Sequence, residues 1–321
     1  MIVRWAALSM SWLATTSFAQ EFLTIESTGD RLIRVDQNSG SVTEIGPIGF
    51  NSTAPDFERF GRDLYLLSAA TAGAPVGFAV IDEQSGAVPP LTPFHLPGQT
   101  LQTAEGITSD GHGLLVTVDT TAGEGFDSNL VTRLDPATGT LTPVVTIPNG
   151  STPDGEDMDG IAFDPVFGDL VAVDSSSVAQ ETAFFRVDLG TGGVTPLFSL
   201  PPEELGGFAI SPFIEGDHLW ITASAAGPPK LVRFDRNGAS WTLAGSTTIL
   251  AGDVTCYALT RPGPCNNADF DPPFGVLDLA DINAFVGSFS VADPGADLNG
   301  DELVDLSDIN AFMSDFVAGC P

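Results

Sequence analysis

The chain has 321 residues, with 42 acidic against 11 basic side chains and a formal net charge of −31. A field of that sign repels nucleic acid and anionic membrane surfaces, and it suits divalent cations or a saline medium. Lys230 is the only lysine, 35 glycines and 24 prolines punctuate the chain, and helical periodicity is almost absent before residue 278. The body therefore reads as all-β with many turns.

Met1 to Ala19 carries Arg4, an apolar run from Trp5 to Leu13, and then Ser17-Phe18-Ala19. These are the n-region, h-region and small-x-small cleavage site of a secretory signal peptide. The run is too short to anchor in a bilayer. No cysteine follows it closely, and nothing later is long and apolar enough for a membrane span. The expected mature chain begins at Gln20 and is secreted or held at the cell surface, the periplasm being the other compartment open to it. Export permits disulfides. Cys256, Cys265 and Cys320 allow three different single bridges. Cys256 stands in the strand-like run Val254 to Leu259 and reads as a buried, inert thiol.

From about 20 to 260 a strand–turn–strand unit recurs five times. It covers Leu32 to Val42, Phe78 to Val88, Val131 to Gly139, Phe185 to Gly192 and, one residue shorter, Leu231 to Gly238. The turn carries Asp36, Asp82, Asp135, Asp188 or Asp235, and its glycine is Gly40, Gly86, Gly139, Gly192 or Gly238. The carboxylate is expected to accept from turn amides, and the glycine to supply positive φ before the return strand. Two further strands precede each unit, such as Gly160 to Asp164 with Leu170 to Asp174. Four strands per repeat of this length is a β-propeller blade. The first repeat lacks its inner strand, and the missing strand appears at the far end, as Asp253 to Leu259. The expectation is a propeller of about five four-stranded blades, closed by a C-terminal strand that leaves no open edge. The pattern loosely resembles secreted bacterial propeller repeats of the NHL and YVTN sort.

No serine nucleophile elbow, zinc motif or phosphate-cradling loop is present. His95, His112 and His218 show no metal spacing. Arg34, Arg133, Arg186 and Arg233 hold one place in four repeats, which points to cross-strand ion pairs or stems packed over the sheet. Acids recur just before the inner strands: Asp56, Glu105, Asp157, Asp159, Glu203, Glu204 and Asp253. Asp56, Glu105, Asp159 and Asp253 are the candidates for a ligand-binding ring at the channel mouth, where carboxylates would take a cation or perform acid–base work. A solvated acidic rim has the same composition.

Beyond the Pro/Gly stretch 261–264, residues 265–321 contain one unit twice. The second copy runs Asp297, Asn299, Asp301, Leu303 (through its carbonyl), Asp305 and Asp308, at positions one, three, five, seven, nine and twelve of a calcium loop. Glu302 stands at the sixth position, where glycine would take the sharp turn without strain. The first copy is less regular, with Asp269, Asp271, Asp278 and Asp281 spread over one residue too many and Pro272-Pro273 inside. A helix is expected after each loop, with Ile282, Phe285, Phe289 and Ile309, Phe312, Phe316 each on one face.

A duplicated calcium loop, each closed by Asp and followed by one helix, resembles a type I dockerin. The ending Ala318-Gly319-Cys320-Pro321 resembles a dockerin-like variant at the C-terminus of many secreted bacterial proteins. The resemblance implies bound Ca2+ and a cohesin-like or cell-surface partner. It implies that Leu279, Ala280, Leu306 and Ser307 face that partner. A Cys265–Cys320 bridge would clasp the ends of such a unit, and closing a loop of that length stabilises by about 4 kcal/mol in the chain-entropy model.

Two functional readings stand on the sequence. One is a secreted, non-catalytic propeller that binds a glycan or protein and is carried by a calcium-binding docking module. The other is an extracellular carbohydrate-active hydrolase or lyase with a propeller catalytic domain.

Overall fold

The fold is known from a computed structural model. It describes residues 21–26, 30–49, 56–68, 76–120, 130–148, 158–176, 181–200, 208–224, 228–250, 256–270, 277–301 and 303–320. The signal segment, Asp157, Glu203, Glu204, Asp253, Asp271 and Glu302 lie outside them.

Among the described residues, twenty strands form five antiparallel four-stranded sheets. In chain order the first blade holds β1 (Glu21–Glu26), β2 (Arg31–Asp36) and β3 (Val42–Pro47). The second holds β4 (Asp56–Phe60), β5 (Asp63–Ser68), β6 (Gly77–Ile81) and β7 (Thr92–Pro93). The third holds β8 (Thr103–Ser109), β9 (Leu114–Asp119), β10 (Leu130–Asp135) and β11 (Thr140–Thr146). The fourth holds β12 (Gly160–Asp164), β13 (Asp169–Ser176), β14 (Glu181–Val187) and β15 (Val194–Leu200). The fifth holds β16 (Phe208–Glu215), β17 (His218–Ser224), β18 (Lys230–Asn237) and β19 (Ser240–Thr248). The last strand, β20 (Cys256–Thr260), pairs with β1 and completes the first blade. The inner strands touch in ring order, β20 to β4 to β8 to β12 to β16 and back to β20. This is a five-bladed propeller closed by its C-terminal strand.

The core follows the same symmetry. Five apolar clusters fill the five seams, each drawing on two adjacent blades. Phe57, Leu64 and Leu66 of blade two meet Leu23 and Ile25 of blade one, while Phe22 of blade one meets Trp220 of blade five. Burial of such side chains is the main drive for blade stacking.

The repeated turns do two jobs. Asp188 Oδ1 accepts from the Gly190 and Thr191 amides at 2.8 Å each, and Asp36 Oδ1 accepts from Asn38 and Ser39 at 3.0 and 2.7 Å. The Ser39 amide leads in holding Asp36 below the usual carboxylate range, and the Thr191 hydroxyl, ahead of these amides, does the same for Asp188. Gly192 has φ 73°, and a Cβ there would meet the Thr146 carbonyl of blade three at 2.2 Å. The glycine is thus required twice, for the turn and for contact with the preceding blade. In the shorter fifth turn, Gly238 keeps a positive φ of 62°, but a Cβ there would meet nothing within 4 Å.

The C-terminal unit holds helices α1 (Leu279–Ser290) and α2 (Leu306–Ala318). Phe285 and Phe312 stack at 4.2 Å in a small core with Ala268 and Ala296. Ile282, Phe289, Ile309 and Phe316 pack around it, so the faces expected from the sequence are the buried ones. Cys265 and Cys320 form a disulfide, and Asn266 Nδ2 beside it donates to the carbonyls of Asp315 and Gly319. Among the described residues no helix is long and apolar enough to cross a membrane.

Candidate functional site

The propeller axis carries two carboxyl groups on one face of β4, where residues two apart point the same way. Asp56 is fully buried, and all its partners are donors. Phe57 N and Ser211 Oγ reach Oδ1 and Ile107 N reaches Oδ2, each at 2.8 Å. Ile107 belongs to β8 and Ser211 to β16, two blades away on the far side of the ring. One carboxyl therefore ties three inner strands across the axis. Burial pushes its pKa up to about 7, against the pull of those three bonds. Glu58 is raised to about 8, by burial first and by the charge of Asp56 second. Glu58 is half-buried, unlike Asp56.

Of the other acids expected at the channel mouth, Glu105 lies within β8 and accepts from Thr103 Oγ1 at 3.3 Å. Asp159 is half-buried just before β12, its amide bonded to the Val173 carbonyl. Asp253 lies outside the described residues. Among the described residues, the only three Cys, His, Asp or Glu groups within 4.8 Å of one another are Cys265, Asp269 and Cys320. Their closeness follows from the disulfide and from the Cys265 amide donating to Asp269 Oδ2 at 2.8 Å. Glu58 was not among the expected residues. Its signal was available in the Asp-x-Glu alternation entering a strand.

Each of the four equivalent arginines has a partner within the fold. Arg133 forks onto Asp110, Arg233 reaches Asp235 at 3.2 Å, Arg34 approaches Glu21 at 3.6 Å, and Arg186 lies 3.7 Å over the Phe167 ring. His218 Nδ1 sits 2.9 Å from Asp235. A cleft of about 260 Å3 opens at the closing seam, between the β2–β3 turn and blade five. Its lining includes Asn38, Trp220, Arg233 and Ser246. Its accessible lining is mostly polar.

In the C-terminal unit the two halves repeat one device. Asp281 accepts from Phe270 N at 2.7 Å and from Asp278 N at 2.8 Å; Asp308 accepts from Leu298 N and from Asp305 N, both at 2.8 Å. Asp278 and Asp305 are the N-caps of α1 and α2, and each forms a capping box with its partner. Asp308, fully buried, is held below the usual carboxylate range by these amides. In the second loop Asp297 Oδ1 accepts from Gly300 and Asp301, Asn299 Oδ1 from Asp301, and Asp301 Oδ1 from Leu303. Gly300 takes φ 73°, so the left-handed turn falls at the fourth position on a residue that tolerates it. An ionised carboxylate has about four acceptor sites, so amide bonds leave capacity for a cation. The donor set is all oxygen, as a hard cation requires. Leu279 and Leu306 are 69% and 72% exposed, Ala280 is half-buried, and Ser307 is exposed with Oγ on Asp305 Oδ1 at 2.6 Å.

No protein-family model matches the chain, and no curated protein matches it. Among solved structures it is similar to the PQQ-bound aldose sugar dehydrogenase of Streptomyces coelicolor. The identity is 14% and the TM-score 0.44, over 74% of this chain and 80% of that one. The propeller assignment rests on the strand order described above, and this likeness adds nothing on activity.

Proposed function

We propose that this chain is a secreted, non-catalytic binding protein. Its propeller recognises a glycan or protein ligand, and its C-terminal module binds Ca2+ and docks onto a cohesin-like or cell-surface partner. The observation that carries this reading is a duplicated apolar row left in solvent. Leu279 and Val286 on α1 recur 27 residues later as Leu306 and Met313 on α2, and all four are at least half exposed. Large exposed apolar side chains set in such a regular pattern mark a contact surface. The propeller offers a ligand the polar cleft at its closing seam. Asp56, one of the two strongly shifted carboxyls, is buried and spent on three protein donors at the axis.

The test is retention of the mature protein on immobilised polysaccharides, with calcium or with a chelator, scored together with soluble product. Retention without product is expected. Leu279→Asp combined with Leu306→Asp should abolish attachment to the producing cell surface and leave glycan retention intact. Steady release of product would overturn the non-catalytic reading in favour of a carbohydrate-active enzyme. Attachment unchanged in the double variant would remove the docking surface.

Calcium gives a separate prediction. Four carboxylates, Asp297, Asp301, Asp305 and Asp308, crowd the second loop, and their repulsion favours any state that holds a divalent ion. At a free concentration 100 times its Kd, calcium should stabilise the module by about 2.7 kcal/mol. Asp297→Ala with Asp308→Ala should remove most of that gain, and Asp269→Ala less. Differential scanning calorimetry with and without calcium reads it, and an equal response in wild type and the double variant would sink the site.

A further inference from the structure

Residues 265–321 contain eleven acidic side chains and no lysine, arginine or histidine. A unit of that composition repels itself and has no cation of its own to relieve the strain. The propeller supplies one. Arg62, in the β4–β5 turn, donates from Nη1 to Asn267 Oδ1 at 2.8 Å and from Nη2 to the Asn267 carbonyl at 3.1 Å. Its guanidinium lies 5.3 Å from the centre of the Phe270 ring, and its charge acts on Asp269 and Asp315. The guanidinium thus contacts the segment that leads into the first loop and lies within electrostatic reach of an acid near the end of α2.

The Pro/Gly stretch between the two parts is held as well. Arg261 forks onto Glu215 at 3.0 and 2.6 Å, donates to the Glu21 carbonyl at 3.0 Å, and covers the Phe22 ring at 3.8 Å. Gly263 N donates to Glu83 Oε2 at 3.0 Å, and the other oxygen of Glu83 takes Arg59. Arg59 is only 9% exposed, so this pair is well shielded from water. A stretch whose composition reads as a tether is bonded to blades one, two and five.

We propose that Arg62 is the counter-cation of the C-terminal module and that, with the pinned stretch 261–263, it mounts the module on blade two as one rigid body. The consequence concerns recognition. The Leu279/Val286 and Leu306/Met313 rows are held at a fixed angle to the propeller, so a partner meets a preorganised surface and loses less freedom on binding. The mounting does not depend on the identity of any partner.

Arg62 is solvent-exposed, so its hold is screened by salt. The Debye length falls from about 8 Å at physiological salt to about 3 Å at 1 M. The experiment is 15N relaxation and small-angle scattering on the full mature chain at one fixed calcium concentration. Wild type at low salt is expected to show one rotational correlation time for both parts. Arg62→Glu places a like charge against Asp269 and Asp315. It should give the module a correlation time at least twofold shorter than the propeller's and a longer maximum dimension. Arg62→Lys, which keeps charge but loses the fork, should fall between, and 1 M salt should move wild type toward the Glu variant. The propeller melt serves as the folding control and should not change. Independent tumbling in wild type at low salt, or a single correlation time retained in Arg62→Glu with the propeller folded, would overturn the proposal.

Discussion

A chain ending after residue 250 is expected to aggregate or fail to fold, while one ending after Gly263 folds cooperatively and stays soluble. The two differ by β20. That strand pairs with β1 through Leu23 with Thr260, Ile25 with Tyr257 and Glu26 with Cys256. Its Ala258 and Leu259 are buried in the seams on either side of blade one, where they meet Leu23 and Phe57 on one side and Phe22 and Trp220 on the other. Removing it bares the edge of β1, opens the ring between β16 and β4, and deletes the Arg261 contacts with Glu215 and Phe22. Unpaired edges beside exposed apolar surface drive association, and a propeller is stable because it has neither. The shorter chain loses two seam contacts and one ladder together, so the loss should exceed the total stability of an ordinary domain, about 5–15 kcal/mol. Solubility and thermal melting of the two fragments decide it. Equal behaviour would mean that ring closure by β20 is not what holds the body together.

That closure was legible because it is a matter of counting. A repeat array that starts one strand late and ends with one strand to spare has a single economical solution. The blade number, the Asp–Gly turns and the two helix faces were legible for the same reason: each is local, and each occurs more than once. The Cys265–Cys320 pair followed from a likeness that spans its two ends. The features that escaped are contacts between residues far apart in the chain. Nothing in the spacing links Asp56 to Ser211, 155 residues on, or Arg62 to Asn267, 205 residues on. Each partner is an unremarkable Ser or Asn in its own repeat. Arg261 read as part of a loose stretch because Pro and Gly surround it, yet its side chain is anchored by a carboxylate and an aromatic ring from two different blades. Repetition reveals what blades share, whereas these contacts are what breaks the five-fold symmetry.

The axial pair gives the second large effect, on pH dependence. Asp56 is raised from 3.8 to about 7 and Glu58 from 4.5 to about 8, both chiefly by burial. A carboxyl whose pKa is higher in the fold than in the unfolded chain favours the fold when protonated. Its contribution is whole below the unfolded value and is lost as pH rises through the folded one. The two groups should therefore erode stability from about pH 4 to pH 8, and the melting temperature should fall across that range. Carboxylates with lowered values, such as Asp36, Asp110 and Asp308, act in the opposite sense and lose their contribution below about pH 4. A maximum near pH 5 follows. Glu58→Gln should flatten the alkaline side, because a glutamine keeps the oxygen that accepts from Arg59 N at 3.0 Å and cannot ionise. The gain at pH 9 should be about 2 kcal/mol, well under the full shift because Glu58 keeps some solvent. For a body of this size that is a rise of about 4–8 °C, with little change at pH 5. Asp56→Asn should behave differently. Both Asp56 oxygens accept from protein donors, so an amide nitrogen must face either Ile107 N or the donors at Oδ1. A donor opposed to a buried donor costs about 1–3 kcal/mol, and the loss of the ionisable group removes the Asp56 share of the alkaline fall, so the deficit narrows as pH rises. A curve lowered at acid pH and flattened on its alkaline side for Asp56→Asn, beside an alkaline rescue without the acid loss for Glu58→Gln, is the expected pair of melting curves against pH. An alkaline slope unchanged in Glu58→Gln would mean that the axial pair does not govern the titration.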